Sequence, residues 1–425
     1  MANTYLTRTP STAGNRKTWT WSAWIKRSAL GSSVNYLFSA GTDANGADRR
    51  YGFYLYNDLL YQDRYGGSNA LTQVFRDVSA WYHIVISVDT TQATASNRTK
   101  VYINNTLYNL TTLFNQNEDT PVNSTLIHSV GGGTDNLAAN HFNGSMSHIN
   151  FIDGTAYDAT AFGQYDANGV WKIKTSPSVT YGTNGFFILK NGNSVTDQSP
   201  NTNNFTVGGG TLTNTEDSPS NVFATLNPLI ASSIPTYSNG NLTIAGASTW
   251  ESSPSTLAVS SGLWYAEFKD VSGSNNMVGV ENAEIQTWIT QFPGYSSDGW
   301  GYARDGGKRN SGSDTAYGSS FTSGDIISIA LDMDNKFVYF AKNGTWQNSG
   351  DPTSGATGTG GLSLSANEYY FVTASYNSSS SANFGNGYFG ATAISSAGTN
   401  ASGIGIFEHD VPTGYTALST KGLNL

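Results

Sequence analysis

The chain contains no cysteine among its 425 residues, which removes disulfides, thiolate metal sites and thiol nucleophiles at once. Charge is also scarce: Lys, Arg, Asp and Glu make up 12 % of the residues, and 30 acids against 21 bases leave a net charge of −9. With a pI near 4.9, no basic surface is expected to release counterions from nucleic acid or an anionic membrane. No apolar run approaches the roughly 20 residues that a membrane helix needs, so membrane insertion is not expected. The opening MANTYLTRTP has no apolar core of a secretory signal, so export by an N-terminal signal is not expected either. Apolar residues at helical spacing are missing too; nowhere do they persist for three turns.

What is present is aromatic and turn-forming: 24 Tyr, 20 Phe, 10 Trp and 47 Gly. Aromatic and β-branched runs separated by Gly, Asn, Ser and Thr describe many short strands joined by tight turns. A chain of this length fits two domains, each large enough to bury a core.

The stretch GDIISIALDMDNKFVYFAKNGTW, from Gly324, organises the second half. Ile326–Asp332 and Lys336–Lys342 read as two strands around a polar corner at Met333-Asp334-Asn335, followed by the tight-turn signal Asn343-Gly344. The same plan appears earlier as Trp81–Asp89, Lys100–Ile103 and Asn104-Asn105. Two copies of one hairpin plan predict two antiparallel sandwiches in tandem.

In the first half, Trp19, Trp21, Ala23 and Ile25 alternate with polar residues, the pattern of a strand with one buried face. Further strands are predicted at Tyr36–Ser39, Tyr51–Tyr56, Thr72–Arg76, Tyr82–Val88, Lys100–Ile103 and Ser147–Ile152, with Gly66–Asn69 and Gly131–Asp135 as loops. The order of Trp21–Ile25, Trp81–Val88, Val101–Asn105 and Phe142–Ile152 (FNGSMSHINFI) resembles laminin-G-like, concanavalin-type jelly rolls. In the second half, GLWYAEF (Gly262–Phe268), DGWGYAR (Asp298–Arg304), the organising hairpin and Asn383-Phe384-Gly385 together resemble the SPRY domain over about Asn239–Gly390. That resemblance implies a sandwich that binds peptides or proteins through its loops.

The passage from Tyr181–Phe187 (YGTNGFF) through Asp197–Phe205 (DQSPNTNNF) to Asp217–Pro228 is rich in Gly, Asn, Ser and Pro, and resembles junctions in proteins of tailed phages, especially marine ones. The expected fold is therefore all-β: a concanavalin-type jelly roll over 1–195, a junction over 196–235, a SPRY-like sandwich over 236–390, and a short C-terminal extension over 391–425 that docks back.

Because concanavalin-type folds also carry glycoside hydrolases, paired carboxylates matter. The E-x-D-x-x-E strand motif of that class is absent. Glu267 with Asp270, and Glu281 with Glu284, are the nearest pairs, and strand alternation sends Glu267 and Asp270 to opposite faces. No nucleophile elbow or phosphate loop occurs, and His83, His128, His141, His148 and His409 have no metal spacing. No catalytic residue is assigned, and no cofactor is required.

Calcium stays open: the laminin-G resemblance implies one ion near the ligand-binding rim, for which Asp43, Asp48 and Asp135 are candidates. Asp332-x-Asp334-Asn335 begins like a calcium loop, but Lys336 replaces the required glycine and no later Glu completes the ligand set, so it reads as a turn. Tyr61, Tyr65, Trp288 and Tyr295 lie in or beside polar turns and are the candidate ligand-binding aromatics.

These features lead to a non-enzymatic surface protein of a tailed-phage virion, as head decoration or appendage. Its expected partners are other virion proteins, further copies of itself and, through its loops, host-surface polysaccharide. The rival readings are a receptor-binding tail-fibre or tail-tip adhesin and a polysaccharide-degrading enzyme acting through Glu267 or Glu284.

Overall fold

The computed structural model of the chain describes residues 3–42, 50–64, 66–190, 194–230, 235–284 and 287–425. It divides into two compact units, Met1–Asn214 and Thr215–Leu425. Among the described residues both units are mainly antiparallel β-structure, with helix limited to short 3-10 turns, and no helix is long and apolar enough to cross a membrane.

The first unit stacks a seven-stranded sheet on a six-stranded one. In the six-stranded sheet, Thr18–Arg27 lies between Trp81–Asp89 and Gly144–Asp153. Trp19, Trp21, Ala23 and Ile25 enter the core with Phe38, Phe53, Leu55, Ile84 and Ile86, following the alternation seen in the sequence. Trp24 takes the other face and stacks on His83 at 4.8 Å and 14°.

That second face is covered by the segment 157–181, whose Phe162, Trp171 and Tyr181 pack on Val85, Ile152 and Phe187. His83 is fully buried there. It lies 2.9 Å from the Ser22 hydroxyl through Nε2, and its Nδ1 accepts from the Trp171 indole N–H at 3.1 Å. Burial pushes its imidazole down to about 3.

The passage read as a junction begins inside this unit. Thr206–Gly209 pairs with Tyr5–Arg8 at one edge of the seven-stranded sheet. In DQSPNTNNF the Asp197 carboxylate accepts from the main-chain N–H groups of Phe187, Ser199 and Asn203 and from the Ser199 hydroxyl, at 2.7 to 2.8 Å. Asn203 in turn donates to the carbonyls of Thr183 and Gly185 at 3.0 and 2.8 Å. The Asx turns typical of loops here tie a strand end into the sandwich. Beyond Asn214, residues Phe223, Ala224 and Leu226 pack in the cores of the second unit. The predicted loop Gly66–Asn69 is shorter than expected, since the strand starts at Gly67 and runs to Val74.

The second unit pairs a nine-stranded with a six-stranded sheet. Ile326–Asp332 is flanked by Leu263–Ser272 and Phe337–Lys342. Asn343 and Gly344 both have positive φ (48° and 79°), as a type I′ turn requires. The Asp332 carboxylate closes the corner before it, accepting from the Asn335 main-chain and side-chain nitrogens at 2.7 and 2.9 Å.

Trp264, Ala266 and Phe268 face the inner core, while Tyr265 faces outward with Ala330 and Tyr339. The C-terminal segment lies over that outer face: Phe407, Val411, Tyr415 and Ala417 complete a second apolar layer, and Thr416–Ala417 pairs in parallel with Trp264 and Tyr265.

Candidate recognition site

Three of the predicted aromatics fall on described residues, and the structure treats each differently; Tyr65 lies outside them. Tyr61 is half-buried in a tyrosine row on the outer face of the seven-stranded sheet. The type I′ turn Asn57-Asp58 (φ 47° and 62°) sets the register that pairs it with Tyr54. The two rings lie parallel at 5.2 Å and 7°, Tyr56 meets Tyr61 in a T-shape at 5.9 Å, and Tyr36 tilts against Tyr54 at 5.1 Å. Its ring is therefore occupied by its neighbours, a cross-strand ladder rather than a free platform.

Beside this row the Tyr36 hydroxyl and Arg50 Nε reach Asp63 Oδ2 at 2.8 and 2.9 Å, and a second Arg50 nitrogen reaches Asp135 at 2.8 Å. Burial pushes the Asp63 carboxyl up, against the pull of Arg50. Asp135, taken from the sequence as a calcium ligand, is thus committed to a guanidinium. A cation placed beside Asp135 would sit against that positive charge. Asp43 and Asp48 lie outside the described residues. No cluster of His, Asp or Glu suited to a metal occurs among the described residues.

Trp288 and Tyr295 share the loop 283–299 of the second unit. Trp288 is corrected from surface ligand to anchor: it is 0 % exposed, and its indole N–H donates to the Asn282 carbonyl at 3.2 Å. Tyr295 is 44 % exposed.

The residue that shapes this loop is one the sequence offered only as half of a carboxylate pair with Glu284. Glu281, fully buried, accepts from the Gly294 N–H and the Ser296 hydroxyl, each at 2.6 Å. Burial pushes its carboxyl up to about 7, the two donors pulling the other way. Gly299 lies flat against it; a Cβ there would come within 2.2 Å of the carboxylate. A lone Glu ending an apolar strand, followed by a loop of Gly, Pro and Ser, was the available signal.

Held this way, the loop brings together a row of rings outside the main cores. Tyr295 meets Phe292 at 5.8 Å, Phe292 meets Trp250 at 5.4 Å, and Trp250 meets Tyr376 at 5.9 Å. Trp250 leads into Glu251–Pro254, which pairs with Tyr369–Tyr376 and places Glu251 opposite Ser375. The Ser252 hydroxyl donates to the Gln291 carbonyl at 2.6 Å and ties strand to loop. Phe292, Trp250 and Tyr376 are partly exposed. A row of this kind offers apolar area with polar edges, the composition that interfaces favour.

The carboxylates weighed for hydrolysis are arranged otherwise. Glu267 is 0 % exposed and lies beneath the C-terminal segment, where it accepts from the main-chain N–H groups of Glu408 and His409 at 2.9 and 2.8 Å. The Tyr265 hydroxyl and the Asn383 amide add bonds at 3.1 and 3.3 Å. Burial pushes its carboxyl up to about 7 despite these donors. Asp270 pairs with Arg304 at 2.8 Å and with Asn276 at 2.8 Å, and Glu284 is exposed.

Fold and site define a tandem of two binding-type sandwiches. Residues 2–160 match the family described as the concanavalin A-like lectin/glucanases superfamily, and residues 263–387 match the SPRY domain. These are the domains of lectin-like and protein-interaction modules. Among relatives, the chain is 33 % identical over 88 residues to a Ran-binding proteins 9/10 homolog of Drosophila melanogaster, covering 20 % of this chain and 9 % of that one. It is 31 % identical over 86 residues to human Ran-binding protein 9, covering 20 % and 12 %. The chain thus spans about a tenth of these relatives' length. Among solved structures, the SPRY domain of human HERC1 is 24 % identical, covering 37 % of this chain and 96 % of that one at a TM-score of 0.30. Another human SPRY domain is 19 % identical, covering 33 % and 90 %, at a TM-score of 0.26.

Proposed function

We propose that the chain is a non-catalytic recognition protein that holds a protein partner on the aromatic row Trp250, Phe292, Tyr295 and Tyr376. The observation that carries this reading is the row itself: large rings set outside the cores on a loop fixed by Glu281 and Trp288. A SPRY match over 263–387 supports a protein partner. The relatives' name speaks of Ran; with about a tenth of their length covered, only protein binding is carried over. The sealed Glu267 and saturated Glu281 support a non-catalytic role.

The setting we propose is the virion surface of a tailed phage, as head decoration or appendage among other virion proteins. Its support is the resemblance of the passage from Tyr181 to Pro228 to junctions in proteins of tailed phages. Mass spectrometry of purified particles tests the setting, and absence of the chain from them overturns it. Selection of a random peptide library on the intact chain tests the site. Selected peptides should bind the Phe292→Ser, Tyr295→Ala double variant at least about tenfold more weakly, a loss of about 1.4 kcal/mol; undiminished binding overturns the assignment.

A further inference from the structure

We propose that the chain associates with a second copy of itself through the strand Gly67–Val74, the two strands running antiparallel about a twofold axis. This strand ends the seven-stranded sheet. It is eight residues long, reads GSNALTQV, and contains neither a charge nor a proline. Short strands, charges and prolines are the usual protections of an open edge.

Three other sheet edges are guarded. Thr206–Gly209 has four residues, of which Gly208 and Gly209 lie against the Tyr5 ring. Thr106–Asn109 is equally short. Ser313–Ala316 carries Asp314, ion-paired to Arg309.

Turn geometry says which main-chain groups face outward. The two-residue turn Asn57-Asp58 makes Tyr56 and Leu59 a hydrogen-bonded pair, so alternation directs the main-chain groups of Gln62 and Arg64 toward the edge strand. Their partners there are Asn69 and Gly67. Ser68 and Ala70 therefore point their N–H and C=O groups away from the sheet, and no described residue bonds to them. The Thr111 carbonyl fills the seam behind the strand, accepting from the Asn69 and Gln62 amides at 2.9 and 3.4 Å. The outward groups are left clear of it.

Charge selects a like copy as the occupant. A twofold contact sets a patch against itself, so any charge in it meets its own sign. In a chain of net charge −9, an uncharged edge is where two copies can approach without that repulsion. The neighbouring charges are engaged within the chain, Asp63 and Asp135 by Arg50 and Arg64 by Glu118. The exposed side chains Ser68, Ala70 and Thr72 are short enough to let a strand approach to the usual sheet spacing of about 4.8 Å.

Light scattering on the intact chain tests this. The expected mass is twice 45.3 kDa. Ala70→Pro removes one outward N–H and leaves the inward bonds of Gly67 and Asn69, and Thr72→Lys places a cation on each of the two facing strands. Each should raise the dissociation constant at least about tenfold and shift the mass to that of a single chain, with an unchanged circular dichroism spectrum. If Ala70→Pro does not fold, Thr72→Lys decides, since it changes only an exposed side chain. A wild-type chain of single mass, or a folded Thr72→Lys variant that keeps the doubled mass at low salt, overturns the proposal.

Discussion

The carboxylate of Glu281 accepts the main-chain N–H of Gly294 at 2.6 Å across a loop of a dozen residues. This buried contact fixes where Phe292 and Tyr295 stand. Replacing Glu281 with Ala should leave the Gly294 donor buried without a partner and cost about 2–4 kcal/mol. Denaturant unfolding followed by tryptophan fluorescence checks this, because Trp288 anchors the same loop. An unchanged midpoint would remove Glu281 from the account.

Gly299 offers a second route to the same contact. Gly299→Ala places a methyl group within 2.2 Å of the Glu281 carboxylate, so the loop must shift. The expected cost is more than about 2 kcal/mol, with loss of peptide binding. Tyr295→Ala should instead cost less than about 0.5 kcal/mol, since that side chain is 44 % exposed, yet still weaken binding.

Stability should respond to pH with opposite signs in the two units. Glu267 and Glu281 are both raised from 4.5 to about 7 in the fold. Their contribution is full below pH 4.5 and is lost as pH rises to about 7. His83, lowered to about 3, and His128 and His148, lowered to about 4, all lie in the first unit. Kept neutral in the fold, they contribute fully above pH 6.5 and lose that contribution as pH falls toward 4. Acidification from pH 7 to 5 should therefore lower the melting transition of the first unit and raise that of the second, His409 offsetting part of the latter. Calorimetry at the two pH values checks the signs. Glu267→Gln should flatten the response of the second unit.

The C-terminal segment should behave as part of the second unit. Phe407 meets Tyr265 in a T-shape at 4.9 Å and is 1 % exposed, so Phe407→Ala should cost about 3–5 kcal/mol. Chemical denaturation that shows a loss below about 1 kcal/mol would make the segment a loose cover.

Much of the fold was legible because it rests on local signals. Alternation in Thr18–Lys26 and the turns Asn104-Asn105 and Asn343-Gly344 all carry their geometry in a few residues. The junction read over 196–235 contains the division between Asn214 and Thr215, but its first part, to Phe205, is read as linker because Asn, Ser and Gly look alike in a linker and in an Asx network. Only the long-range bonds of Asp197 and Asn203 separate the two. The site was half legible. Tyr295 and Trp288 were both marked by their polar surroundings, but depth is not written in such a loop, and one of the pair proved buried. Tyr61 failed for a cross-strand reason: its ring is taken up by Tyr54, which only the register reveals. Glu281 was weighed for catalysis, since no spacing rule links a strand-end carboxylate to an N–H thirteen residues away.

The central claim is that recognition happens on the ring row of the second unit. Hydrogen–deuterium exchange on the intact chain, with and without a peptide selected from the library, measures this most directly. The account predicts slowed exchange in 287–299 and 247–251, with the first unit unchanged. Protection confined to the first unit, or absent from both of those segments, would contradict it.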